Sequence, residues 1–199
     1  AVMFLYFTRP YADWAALVLF VGAALTDWLD GYLARAWKQE SKMGAMLDPI
    51  ADKAMVVIAL VVLASVFGLD ALILLPAALI VFREVFVSGL REFLGDVAGT
   101  LKVTKLAKWK TTVQMVAIAL LFAVGIFEHY LVMVTAGMDR EIVSGILNAT
   151  LEDPSHIRLI YHGMYVTWYS GLALLWIASA LTIITGVDYF RKALPHLRD

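Results

Sequence analysis

AMLDPIADKAMVVIALVVLASVF, residues 45–67, holds two aspartates and a lysine in its first half and almost nothing polar in its second. From Ala54 to Phe67 the one polar side chain is Ser65. A run of roughly 20 mostly apolar residues is what a helix needs to cross a bilayer. The second half of the stretch therefore reads as a membrane helix. Asp48, Asp52 and Lys53 then sit at or inside one membrane boundary, where charge is costly and calls for a reason.

Runs of the same kind flank it on both sides. Residues 12–36, 71–94, 108–127 and 163–187 are further spans. Residues 1–7 (AVMFLYF) read as the end of another helix that starts before the sequence does, and Arg9-Pro10 ends it. The expected fold is an all-α integral membrane protein, a six-transmembrane-helix bundle whose first helix is only partly present. Residues 1–199 are expected to form a single transmembrane domain, with 128–162 as an extracytoplasmic loop. No signal peptide is visible.

Composition agrees. Of 199 residues, 62% are hydrophobic and 17% charged, and the mean hydropathy is +0.81. Soluble domains run at about 45–50% apolar and about 25% charged. A formal net charge of −1 excludes a strongly basic nucleic-acid binder, so no nucleic acid is expected as partner. The absence of cysteine excludes a disulfide scaffold, a thiolate metal site and a cysteine nucleophile. The four histidines, His129, His156, His162 and His196, show no paired ligand spacing.

Basic residues set the orientation, because loops rich in Lys and Arg stay in the cytoplasm. Lys38 and Lys42, then Arg91, Lys102, Lys105, Lys108 and Lys110, then Arg191, Lys192 and Arg198 all fall on one side. The other side holds Arg9, Arg140 and Arg158. Both termini are expected inside.

Several ionisable residues remain within the spans: Asp27, Asp30, Arg35, Asp48, Asp52, Lys53, Arg83 and Glu84. An aspartate at a helix centre costs about 2.5–3.5 kcal/mol on the insertion scale. Their spacing is ordered. Asp27, Asp30, Gly31 and Ala34 fall at i, i+3, i+4 and i+7, one face of a helix. Gly44, Asp48 and Asp52 fall at i, i+4 and i+8, again one face. Pro49 is tolerated if it lies in the first turn. Two consecutive antiparallel helices would each present two carboxylates at a similar depth, in the cytoplasmic half. Hard divalent cations suit an all-oxygen site of this kind, and paired ions are a recurrent device in phosphoryl-type displacement.

Written as D-x-x-D-G-x-x-A-R, eight residues, then G-x-x-x-D-x-x-x-D, residues 27–52 resemble the signature of the CDP-alcohol phosphotransferase family. Asp27, Asp30, Gly31, Ala34, Arg35, Gly44, Asp48 and Asp52 occupy its defining positions. Asp48–Lys53, Arg83–Glu92 and Lys108–Gln114 extend the likeness toward family members that make phosphatidylglycerol precursors, and it runs essentially from residue 1 to Asp188-Tyr189-Phe190. The family's first helix carries a nucleotide-holding segment near its cytoplasmic end. The sequence begins after that segment, so one wall of the site is expected to lie outside it.

The resemblance implies an enzyme, a phosphatidyltransferase of the inner (cytoplasmic) membrane with its site toward the cytoplasm. It implies that CDP-diacylglycerol gives its phosphatidyl group to glycerol 3-phosphate, releasing CMP, and that the chain forms a homodimer. Two ions, Mg²⁺ or Mn²⁺, would be held by Asp27, Asp30, Asp48 and Asp52. Asp52 would be the catalytic base. Asp30, Gly31, Ala34, Arg35 and Gly44 would receive the nucleotide. The acceptor's phosphate needs a basic pocket, for which Arg83, Ser88, Arg91, Lys105, Lys108 and Lys110 are candidates; Ser88 shares a face with Glu84 and Arg91. Glu84 itself, next to Arg83 in sequence, is expected to point elsewhere. Another acceptor (inositol phosphate, serine or phosphatidylglycerol) would use the same chemistry. An intramembrane prenyltransferase would need two well-separated aspartate motifs. A cation or proton transporter would favour repeats and midplane charges, and the sequence has neither.

Overall fold

The computed structural model describes residues 3–4, 7–37, 42–100 and 105–197. Among these residues every regular element is helical, as an all-α membrane protein requires. After a short helical fragment at Met3–Phe4, the elements are α1 (Tyr11–Trp37), α2 (Lys42–Val66), α3 (Ala71–Leu94), α4 (Lys105–Thr135), α5 (Arg140–Leu147) and α6 (Ile157–Ala193). Short 3₁₀ turns follow α3 at Gly95–Thr100 and α6 at Leu194–His196.

Windows of α2, α3, α4 and α6 are long and apolar enough to cross a membrane. At 1.5 Å per residue the 27-residue α1 reaches roughly 40 Å, ample for a crossing, but it carries Asp13, Asp27, Asp30 and Arg35. Large apolar side chains stay exposed on the outside of the bundle, among them Val18, Leu25, Ile58, Val61, Leu75, Phe82, Val85, Val132, Val166 and Ile184. In water such a surface would aggregate; in lipid it is the natural outer coat. An α-helix pairs nearly all its backbone polar groups within itself, the condition for spanning hydrocarbon.

The interior is a single apolar cluster that includes Phe20, Leu60, Leu63, Ile73, Ile80, Ile118, Leu121 and Leu175. It draws on α1, α2, α3, α4 and α6. Helices α4 and α6 pack along the greatest length, and α3 lies against α6. Small residues allow this closeness. A Cβ at Gly171 would sit 3.0 Å from Leu121 Cγ, and one at Gly163 would sit 2.7 Å from the Phe127 ring. The Trp176 indole N–H donates to the Leu72 carbonyl at 3.0 Å, tying α6 to the start of α3.

The link from α2 to α3 is tight. Gly68 and Leu69 both adopt left-handed backbone (φ 66° and 63°), and the Leu69 N–H bonds back to the Ala64 carbonyl at 3.0 Å. Asp70 then caps α3, its carboxylate accepting the Leu72 N–H at 2.7 Å. Such a cap contributes about 1 kcal/mol. The short turn forces α2 and α3 antiparallel.

Two expectations about helix bounds change. Pro49 lies inside α2, about two turns beyond Lys42, not in its first turn. The helix absorbs the lost hydrogen bond there because the apolar run beyond it is long enough to hold the rest. The connection expected over 128–162 is also shorter. The run Leu131-Val132-Met133-Val134 carries α4 through to Thr135, and α6 already starts at Ile157. The start of α6 is capped by Asp153, which accepts the Ile157 N–H at 2.7 Å and the Arg158 N–H at 3.0 Å.

Candidate active site

Six charged residues of α2, α3 and α4 line one cavity of about 250 Å³. Its walls include Asp52 and Lys53 from α2, Arg83, Glu84 and Arg91 from α3, and Lys110 and Gln114 from α4. The α3 contributions follow from helical spacing, since Glu84, Ser88 and Arg91 share a stripe.

Glu84 is the hub. Its Oε1 accepts from Arg83 Nη1 at 3.2 Å and from Lys110 Nζ across the helix interface. The expectation that Glu84 points elsewhere is therefore wrong. Neighbouring Cα atoms on a helix do diverge, but the long Arg83 side chain folds back over its own helix to reach the carboxylate. Arg83 Nη2 also lies 3.4 Å from Thr185 Oγ1 on α6, and that hydroxyl donates to the Leu181 carbonyl at 2.8 Å. Arg83 Nε is buried and finds no partner among the described residues, and neither does Gln114 Oε1.

Beside this hub, Lys53 Nζ donates to Ser88 Oγ at 2.5 Å, and the Ser88 hydroxyl donates to the Glu84 backbone carbonyl at 2.6 Å. Arg91 lies over the Tyr189 ring, with Cζ 5.2 Å from its centroid. Tyr189 is itself buried, so the ring is a fixed platform for a cation. Lys110, buried, and Arg83, largely out of solvent, would be costly without a counter-charge. Here Glu84 supplies the compensation.

Of the residues expected in the site, Asp52, Arg83, Ser88, Arg91 and Lys110 come together. Lys53, Glu84, Gln114, Thr185 and Tyr189 join them without having been anticipated as pocket residues. Lys53 carried a signal, since it follows Asp52 directly. Thr185 and Tyr189 carried none, because only tertiary packing brings α6 to α3. Asp27 and Asp30 lie exposed on α1, which packs chiefly on α4 and touches α2 only lightly. Among the described residues no three carboxylates or imidazoles form a group able to hold a metal ion. The side chains of Ala34, Arg35, Asp48, Lys105 and Lys108, together with Gly31, lie outside the described ones.

A membrane bundle whose cavity is lined by two carboxylates, Asp52 and Glu84, and four cations from three helices is suited to handling phosphate groups at the bilayer. Residues 1–185 match the CDP-alcohol phosphatidyltransferase family, and the chain belongs to it. Proteins of this family are generally metal-dependent transferases. A CDP-diacylglycerol–glycerol-3-phosphate 3-phosphatidyltransferase of Cereibacter sphaeroides is 63% identical over 202 residues, covering 100% of this chain and 90% of the relative. The protein of the same name from Escherichia coli is 40% identical over 132 residues, covering 65% of this chain and 72% of the relative. That of Sodalis glossinidius is 43% identical over 122 residues, covering 60% and 66%.

Proposed function

We propose that this chain transfers the phosphatidyl group of CDP-diacylglycerol to glycerol 3-phosphate, giving phosphatidylglycerophosphate and CMP. The observation that carries the reading is that Asp52 lines one small cavity together with Lys53 beside it on α2, Arg83 and Arg91 of α3 and Lys110 of α4. The high identity with a relative of that name supports the choice of substrates.

In this reading the acceptor's phosphate enters the basic side of the cavity. Arginine offers paired donors that match a phosphate's oxygens, so Arg83 and Arg91 orient it, with Lys53 and Lys110 adding charge. Lys105 and Lys108 are further candidates for the acceptor's phosphate, and Ser88 holds Lys53 in place. The acceptor hydroxyl is thereby directed at the phosphorus that bears the diacylglycerol. Its oxygen forms the new P–O bond, the phosphoanhydride bond breaks, and CMP carries away the electron pair. Asp52 takes the hydroxyl proton. Positioning and fixed charge supply most of the rate in transfers of this kind.

The donor set Asp27, Asp30, Asp48 and Asp52 is all carboxylate, the chemistry that Mg²⁺ or Mn²⁺ prefers. Two such ions bound there would neutralise the diphosphate and polarise the reacting oxygens. Asp30, Gly31, Ala34, Arg35 and Gly44 give the cytidine nucleotide its room and contacts. The site faces the cytoplasm in the inner membrane, as the distribution of Lys and Arg favours, and the connection between α4 and α6 lies on the opposite side. A homodimer completes the picture.

The test is incubation of the full-length protein in detergent with CDP-diacylglycerol, Mg²⁺ and a panel of alcohols, reading CMP. CMP release that depends on glycerol 3-phosphate supports the reading. Release with a different alcohol only would move the acceptor, and no release with any would overturn the enzyme assignment.

A further inference from the structure

Glu84 is an acid in the middle of a pocket assigned to a doubly charged anion. It faces the cavity, and its charge opposes the ligand. A purely electrostatic trap for phosphate would be stronger without it. Its contacts account for its presence. One oxygen, Oε1, takes hydrogen bonds from Arg83 on its own helix and from Lys110 on α4. Those two cations belong to different helices, lie largely out of solvent, and would repel each other if left alone.

The carboxylate also leaves donors over. Lys110 has three N–H groups and Arg83 has five. Glu84 uses one from each, and Thr185 takes one more from Arg83. Arg83 Nε remains buried with no partner among the described residues. The arrangement holds two cations in register before any ligand arrives while keeping further donors available. Binding then pays less to order long, flexible side chains.

We propose that Glu84 is a positioning residue: it yokes Arg83 and Lys110 into one pre-formed cradle for the acceptor's phosphate and so sets the affinity for a phosphomonoester acceptor. The proposal rests on the reading that this cavity receives glycerol 3-phosphate. It assigns Glu84 no part in the bond-making step and no contact with the nucleotide. Removing its charge should therefore affect one substrate and spare the other.

The experiment compares wild type, Glu84→Gln and Glu84→Asp in two assays on the full-length protein in detergent. One is CMP release, with KM and kcat resolved for each substrate. The other is direct binding of radiolabelled glycerol 3-phosphate. Glu84→Gln should raise KM for glycerol 3-phosphate at least about tenfold, with kcat and KM for CDP-diacylglycerol within about threefold, and should weaken binding of the label in parallel. Glu84→Asp keeps the charge, and so the compensation that folding needs, but is one methylene shorter. It should fold and show an intermediate rise. An unchanged KM in either folded variant overturns the proposal, as does a uniform loss in kcat and both KM values, which marks a merely structural role. If wild type binds the label without releasing CMP, the transferase reading fails while Glu84 is still judged by binding. If wild type neither binds nor turns over, both fall.

Discussion

Gly186 on α6 lies flat against the Arg83 side chain of α3, so closely that a Cβ at position 186 would come within 2.9 Å of Arg83 Cγ. The contact is with the stem of the arginine, near its root, and the stem has little freedom to move aside. The backbone of one membrane helix thus defines where the guanidinium of another can sit.

Replacing Gly186 with alanine should therefore displace Arg83 without removing it. The expected result is a KM for glycerol 3-phosphate raised by roughly tenfold, equivalent to about 1.4 kcal/mol, with KM for CDP-diacylglycerol little changed. Steady-state kinetics with each substrate varied in turn checks this. Equal effects on both substrates would mean that the two helices had separated more broadly.

Asp52→Asn removes the proposed base while keeping the size of the side chain. CMP release should fall by a hundredfold or more, the usual order for loss of general-base catalysis, while the protein still elutes as a folded species in detergent. Turnover near the wild-type rate would remove Asp52 from that role.

The carboxylate donor set predicts a strict need for a divalent ion. Chelation with EDTA should stop CMP release, and Mg²⁺ or Mn²⁺ should restore it, with the better ion read from the restored rate. Activity that survives exhaustive chelation would detach the aspartates from metal binding.

At the far end of α4, roughly 20 Å from Lys110 at helical rise, Gly125 gives room to a buried acid. A Cβ there would meet Asp13 Oδ1 at 2.5 Å, and Asp13 is 2% exposed. Gly125→Ala should destabilise the fold by about 1–3 kcal/mol, typical of overpacking, and leave the KM values of the remaining folded protein unchanged. Thermal unfolding in detergent, paired with kinetics, separates the two effects.

Acid should loosen the start of α6. Burial works against the Asp153 charge, but the backbone N–H groups of Arg158 and Ile157 and the Arg158 guanidinium together hold its carboxyl below the ordinary 3.8. A carboxyl lowered on folding contributes stability that is fully present above its unfolded value and lost as pH falls through the folded one. The contribution should hold at neutral pH and fade only below about pH 4. Asp153→Asn should remove that acid dependence, as seen in melting temperature against pH.

The helices were legible in the sequence because continuous apolar runs admit one solution in a bilayer. Their ends were less so. Glu128 and His129 resemble the start of a loop, yet the apolar residues beyond them carry α4 on, and Arg9 meets Glu128 at 2.9 Å. In the site, Ser88 and Arg91 were readable from helical spacing with Glu84, and Arg83 as a charge inside an apolar run. Glu84 was misread because adjacency on a helix says where a side chain starts and not where a long neighbour folds back. Thr185 and Tyr189 depend on how α6 lies against α3, which no local pattern encodes.

The length of α6 has a mechanical side. Its 37 residues extend roughly 55 Å at helical rise, well beyond a hydrocarbon core of about 30 Å. Its charged ends, Arg158 on one side and Asp188, Arg191 and Lys192 on the other, reach past the apolar middle, and the middle fits that slab by tilting against its neighbours. Thr185, Gly186 and Tyr189, which touch Arg83 and Arg91, all sit near one tip of the helix, and the Asp153 clasp anchors the other. A change in the lean of α6, from a thinner or thicker bilayer for instance, would therefore shift the surface against which Arg83 and Arg91 rest.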